Sequence, residues 1–79
     1  MNREHVELYD LIKATQLRLR KSSPFFAALS LFSKVEFTMN VRIAATDGLK
    51  IYFNSQNFSK LKVQERDAIF LHELLHIAL

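Results

Sequence analysis

The chain carries one group of residues whose types and spacing suggest chemistry, His72-Glu73-Leu74-Leu75-His76. Residues four positions apart lie on the same face of an α-helix, so both imidazoles can reach one metal ion, and zinc is the expected metal. Glu73 is expected at the rim of that face, where its carboxylate can take a proton from a zinc-bound water. The motif therefore predicts zinc-dependent hydrolysis of a peptide bond, with His72 and His76 as metal ligands and Glu73 as the general base.

The motif supplies only two of the three protein ligands that a catalytic zinc normally has. The chain has no cysteine and three histidines, and the remaining histidine, His5, lies among charged residues that favour an exposed position. No capping Gly or Asn follows the last residues, Ile77-Ala78-Leu79. We therefore expect 1–79 to be the N-terminal part of a longer domain, with the third ligand beyond Leu79. The isolated chain should then bind zinc weakly and hydrolyse poorly or not at all.

The motif lies in a segment, 61–79, that is free of Gly and Pro and predicts a helix. Its uncharged neighbours predict a buried active-site helix; they are Ile69, Phe70, Leu71, Leu74, Leu75, Ile77 and Ala78. The alternative is that two histidines and a glutamate lie on a solvated helix face and bind no metal.

Two further helices are predicted ahead of the motif. Residues 1–22 form an amphipathic helix, because apolar residues and a threonine recur among charged residues at helical spacing: Leu8, Leu11, Ile12, Thr15 and Leu19. Residues 24–33 form a short helix that is apolar on nearly every side, which predicts that it is buried. Its core stripe is Phe25, Phe26, Leu29 and Phe32. The alternative for this stripe is a surface that binds a partner.

Alternation of apolar and polar residues predicts an antiparallel β-hairpin over 35–54. Its first strand covers 35–43 and its return strand covers 50–54. Asp47-Gly48 is a favoured pair for a two-residue hairpin turn, in which both positions need positive φ. Residues 55–60 are polar enough to be a loop. Helices and a hairpin together predict an α+β domain.

Composition excludes several other classes of protein. With 79 residues, 49% of them apolar, and a net charge of +3, the chain is one small globular domain or part of one. The basic residues do not cluster, so a nucleic-acid site is not supported. No apolar stretch approaches the roughly 20 residues that span a bilayer, and no leader opens the chain, so we expect a cytoplasmic protein. An apolar flank on the last helix suggests self-association.

Three separated segments carry a combined pattern that is more specific than any one of them. They are Pro24-Phe25-Phe26, then Ala44-Ala45-Thr46-Asp47-Gly48 with Ile51-Tyr52-Phe53-Asn54, and Glu65-Arg66 leading into the motif. This pattern, over roughly 20–79, resembles the family of putative metallopeptidase domains found N-terminal to VWA-like domains. In that family the motif helix continues into further His and Arg residues, which this chain does not include, and a Pro is common where Ser55 stands.

The resemblance implies a zincin-like fold, with zinc bound by His72 and His76 and Glu73 as the general base. It implies a peptide or protein substrate, which the sequence does not specify further. It also implies a C-terminal VWA-like domain and a MoxR-type AAA ATPase as partners. A second hypothesis is a non-catalytic protein-interaction module whose metal site is vestigial.

Overall fold

Four helices and one three-stranded sheet form the part of the chain that the structure describes. The structure is a computed structural model that describes the backbone of residues 3–79 and the side chains of residues 7–79. The predicted α+β class is confirmed. In chain order the elements are α1 (Arg3–Ser22), α2 (Pro24–Phe32), β1 (Lys34–Thr38), β2 (Ala44–Thr46), β3 (Lys50–Asn54), α3 (Asn57–Lys60) and α4 (Val63–Ala78).

Helix α1 is amphipathic, as its sequence predicts. Its buried residues are Leu8, Ile12, Thr15 and Leu19, which follow one another at spacings of four, three and four. The buried hydroxyl of Thr15 donates a hydrogen bond to the carbonyl of Leu11 at 3.1 Å, so its polar atom is satisfied within the helix. The helix ends at Ser22, and α2 begins two residues later at Pro24, a position where a missing N–H costs nothing.

The sheet has the strand order β1-β3-β2, which differs from the predicted hairpin over 35–54. Strand β1 pairs with β3 in parallel, with Phe37 opposite Phe53. Strand β2 pairs with β3 antiparallel, with Ala44 opposite Phe53. The antiparallel hairpin therefore consists of β2 and β3 alone, and β1 lies on the far side of β3.

The predicted first strand is too long: β1 ends at Thr38, whereas the prediction continued it through residue 43. The carbonyls of the connecting segment are bound by groups outside it. Asn54 donates from its backbone N–H to the carbonyl of Ile43 at 2.7 Å, and from its side-chain amide to that of Val41 at 2.8 Å. Asn57 donates its amide to the carbonyl of Arg42 at 2.7 Å. These bonds hold the segment as a loop although its apolar residues still alternate.

The hairpin turn also differs from the predicted two-residue type. Gly48 has φ +91°, and no other residue among those the structure describes has positive φ, so Asp47 does not adopt the predicted conformation. The carboxylate of Asp47 instead accepts hydrogen bonds from the backbone N–H groups of Leu49 and Lys50 at 2.9 and 2.8 Å. These bonds lower the pKa of Asp47 below its usual value. An aspartate side chain thus closes the turn.

The centre of the core is aromatic. The ring of Phe58 lies 4.4 Å from that of Phe53, and the ring of Phe70 on α4 stacks on Phe53 at 5.9 Å. These three rings are fully buried, together with Ile51 and Leu74. Phe58 belongs to α3, in the segment predicted as a polar loop. Because Phe58 is fully buried, this segment contributes to the core.

Helix α2 contradicts the prediction that it is buried. Ala27 and Ser30 are buried, but the side chain of Phe25 is 64% exposed and that of Phe32 is 87% exposed. Phe26 and Leu29, from the same predicted stripe, pack against the edge of the core. Helix α2 therefore contacts its neighbours along one side only. None of the described helices combines the length and the apolar composition needed to cross a membrane.

Candidate metal centre

Helix α4 begins with local hydrogen bonds that fix its first turn. The carboxylate of Glu65 accepts from the backbone N–H of Lys62 at 2.8 Å, which is one half of a capping box. The guanidinium of Arg66 donates to the carbonyl of Leu61 at 2.6 Å. The start of the helix is therefore set by residues within it and immediately before it.

A salt bridge ties α4 to α1 across a long stretch of sequence. Arg18 donates from Nε and Nη2 to the two carboxylate oxygens of Asp67, both at 2.8 Å. The hydrogen bonds from Arg18 lower the pKa of Asp67 and raise that of Arg18 itself. A bidentate pair of this kind fixes orientation as well as distance. No local sequence signal predicts it, because the two residues are 49 positions apart.

Two faces of α4 have opposite environments. Phe70, Glu73 and Leu74 are buried, and they follow the three-and-four spacing of one helix face. His72, Leu75, His76 and Leu79 are exposed and follow the same spacing on another face. Within the motif, Glu73 is therefore buried and both histidines are accessible to solvent.

The two histidines meet as their spacing predicts. Nε2 of His72 lies 3.0 Å from Nε2 of His76, and the ring centroids are 4.6 Å apart with the ring planes nearly perpendicular. This distance is that of a hydrogen bond between the two rings, one donating and one accepting. The prediction of a buried active-site helix therefore holds for one face of α4 and is wrong for the face that carries the histidines, since both are exposed.

Glu73 lies next to the histidine pair but points to a different environment. It follows His72 by one residue, about 100° around the helix axis. Its side chain is only 7% exposed. Around the helix, Glu73 therefore lies between the exposed histidine face and the buried face, and its side chain is buried.

The histidine pair is compatible with zinc as far as two ligands can be tested. Zinc binds imidazole nitrogens at about 2.0–2.1 Å, and a tetrahedral site then places two such nitrogens about 3.3–3.4 Å apart. The observed 3.0 Å is close to this separation. Among residues whose side chains are described, no group of three or more histidine, cysteine or acidic residues is placed to hold a metal. His5 lies outside those residues, so its predicted surface position is untested.

Comparison with known proteins gives one result. A family model described as "Putative metallopeptidase domain" matches residues 8–79. No match was found among curated proteins or among solved structures. The matched range includes the histidine pair, Glu73 and every strand of the sheet.

Proposed function

The chain belongs to the family described as "Putative metallopeptidase domain", and we propose that it is part of a zinc-dependent peptidase. In this proposal His72 and His76 bind the zinc and Glu73 is the general base. The observation that carries the proposal is the 3.0 Å distance between the two Nε2 atoms, on a face that a metal and a substrate can reach.

The placement of Glu73 supports a role distinct from that of a ligand. Zinc, when bound, would supply Lewis acidity that lowers the pKa of a water molecule to near 7. Glu73 then accepts the proton from the water that attacks the peptide carbonyl and passes it to the leaving amine. Its side chain is buried, as are those of Phe70 and Leu74 on the same helix, whereas both histidines are exposed.

Strand β2 offers a place for an extended substrate. In the order β1-β3-β2 it has β3 as its neighbour on one side, and it packs against α4, the helix that carries the histidines. An extended peptide can add to the outer edge of such a strand through main-chain hydrogen bonds. We propose that the substrate binds along β2, which would bring its backbone towards α4.

The site needs a further ligand, and we propose that it comes from a continuation of the domain beyond Leu79. Two imidazoles alone leave a catalytic zinc one protein ligand short. The same continuation would cover the exposed histidine face. By the resemblance of its motifs, a VWA-like domain and a MoxR-type AAA ATPase are the proposed partners.

Zinc content measured by mass spectrometry tests the proposal. We would purify the 79-residue chain and a version extended along its reading frame. Each would be made unchanged and as three separate variants, His72→Ala, His76→Ala and the control His5→Ala. We expect about one zinc per extended chain, lost in the first two variants and kept in the control, and much weaker retention by the short chain. Equal zinc content in all variants would refute the assignment of the ligands.

A second candidate function is a non-catalytic interaction module. It is favoured by the exposure of both histidines and by the lack of a third ligand within residues 7–79. The variant Glu73→Gln in the extended chain distinguishes the peptidase from the interaction module. A peptidase loses hydrolysis of a casein substrate by orders of magnitude while keeping its zinc, whereas a module shows no hydrolysis before or after the change.

A further inference from the structure

A groove of about 790 Å³ lies between α1 and α2, and the proposed metal site does not use it. No residue of α4 lines it. Its lining residues are Lys13, Gln16, Leu17 and Arg20 from α1, and Pro24, Ala27, Ala28 and Leu31 from α2.

Each helix presents one regular stripe to this groove. The four residues of each stripe have the spacing i, i+3, i+4 and i+7, which keeps them on one face for two turns, about 10 Å. Leu17 is 60% exposed and Leu31 is 73% exposed, although both are large and apolar. Ala27 and Ala28 provide a floor without bulky side chains. A groove between two such stripes, with small residues at the centre of one of them, can accommodate a third helix.

The charge of the groove restricts what can occupy it. Lys13 and Arg20 lie at either end of the α1 stripe and are exposed. Among the residues whose side chains the structure describes, no acidic residue lines the groove. An occupant must therefore offer an apolar stripe to Leu17 and Leu31 and negative charge to the two cations.

We propose that this groove binds an amphipathic helix of a partner protein, with acidic residues flanking its apolar stripe. A second copy of this chain is a poor occupant. A two-fold contact through the same groove would bring Lys13 and Arg20 of one copy close to the same two cations of the other copy, and like charges repel. A membrane surface is also a poor occupant, because it is flat and would leave the concave floor over Ala27 and Ala28 unfilled.

Charge reversal tests the proposal with two labelled synthetic peptides. Each is a helix of about 18 residues with the same leucine stripe, flanked by glutamates in one peptide and by lysines in the other. Fluorescence anisotropy at low salt should show that the chain binds the glutamate peptide about tenfold more tightly. The double variant Lys13→Glu/Arg20→Glu should reverse this preference. The control Lys21→Glu/Lys34→Glu changes the charge equally outside the groove and should not reverse it.

A second pair of variants tests the apolar contact. Leu31→Ser should weaken binding of the glutamate peptide about tenfold, whereas Leu49→Ser, at an exposed leucine in the hairpin turn, should leave it unchanged. The proposal is overturned if neither peptide binds, or if reversal of the groove charges does not change the preference. It is also overturned if the chain dimerises, or binds anionic phosphatidylserine vesicles, in a way that Leu31→Ser abolishes.

Discussion

Replacing Phe58 by alanine should remove a large part of the stability of this domain. The ring is fully buried and lies 4.4 Å from the ring of Phe53 and 6.4 Å from that of Phe37. Truncation of a buried phenylalanine costs about 3–5 kcal/mol, since the lost transfer free energy adds to the cost of the cavity. A domain of this length has a total unfolding free energy of about 4–12 kcal/mol. The variant should therefore lose at least about a quarter of this free energy, and at the lower end of the range it should be unfolded at 25 °C.

Urea unfolding followed by circular dichroism measures this effect. The matched control is Phe32→Ala, the same change at a side chain that is 87% exposed, which should alter the unfolding free energy by less than about 0.5 kcal/mol. Phe58→Leu retains most of the volume and provides a measurable intermediate if the alanine variant does not fold. If Phe32→Ala destabilised the protein as much as Phe58→Ala, the assignment of α3 to the core and of α2 to the surface would be wrong.

Three further changes test how the elements are joined. Because Arg18 lowers the pKa of Asp67, the pair stabilises the fold above the pKa of an unfolded aspartate, about 3.9, and this stability is lost as the pH falls through the lower folded value. Asp67→Asn should lower the unfolding free energy by up to about 1 kcal/mol at pH 7, and urea unfolding should show that this free energy depends less on pH between 2 and 7. A loss that is the same at every pH would contradict the assignment. Gly48→Ala should lower the unfolding free energy by about 1 kcal/mol, because φ at this position is +91°. An unchanged midpoint of thermal unfolding would contradict this and show that the turn relaxes. Asn54→Ala removes the side chain that bonds the carbonyl of Val41 and the N–H groups of Gln56 and Asn57, all in part-buried contacts. It should lower the unfolding free energy in urea by about 1–3 kcal/mol, whereas the exposed Asn40→Ala should change it little, and equal losses would refute this role.

Local patterns in the sequence predicted the helices on which the candidate site depends. The spacing of Leu8, Leu11, Ile12, Thr15 and Leu19 predicts the inner face of α1, and all of them are buried except Leu11, which is half-buried. The four-residue spacing of the two histidines predicts their approach, because a helix fixes the distance between i and i+4 wherever it lies in the fold. The α+β class follows from the change between helical and alternating periods.

Tertiary structure decided how the strands pair and which phenylalanines are buried. Nothing local places β3 between β1 and β2, because strand order depends on partners that are distant in sequence. Phe58 lies in a polar segment and is buried, whereas Phe32 lies in an apolar one and is exposed, since burial depends on what packs opposite a side chain. For the same reason Glu73 is buried while the histidines beside it face solvent: the core covers only one face of α4.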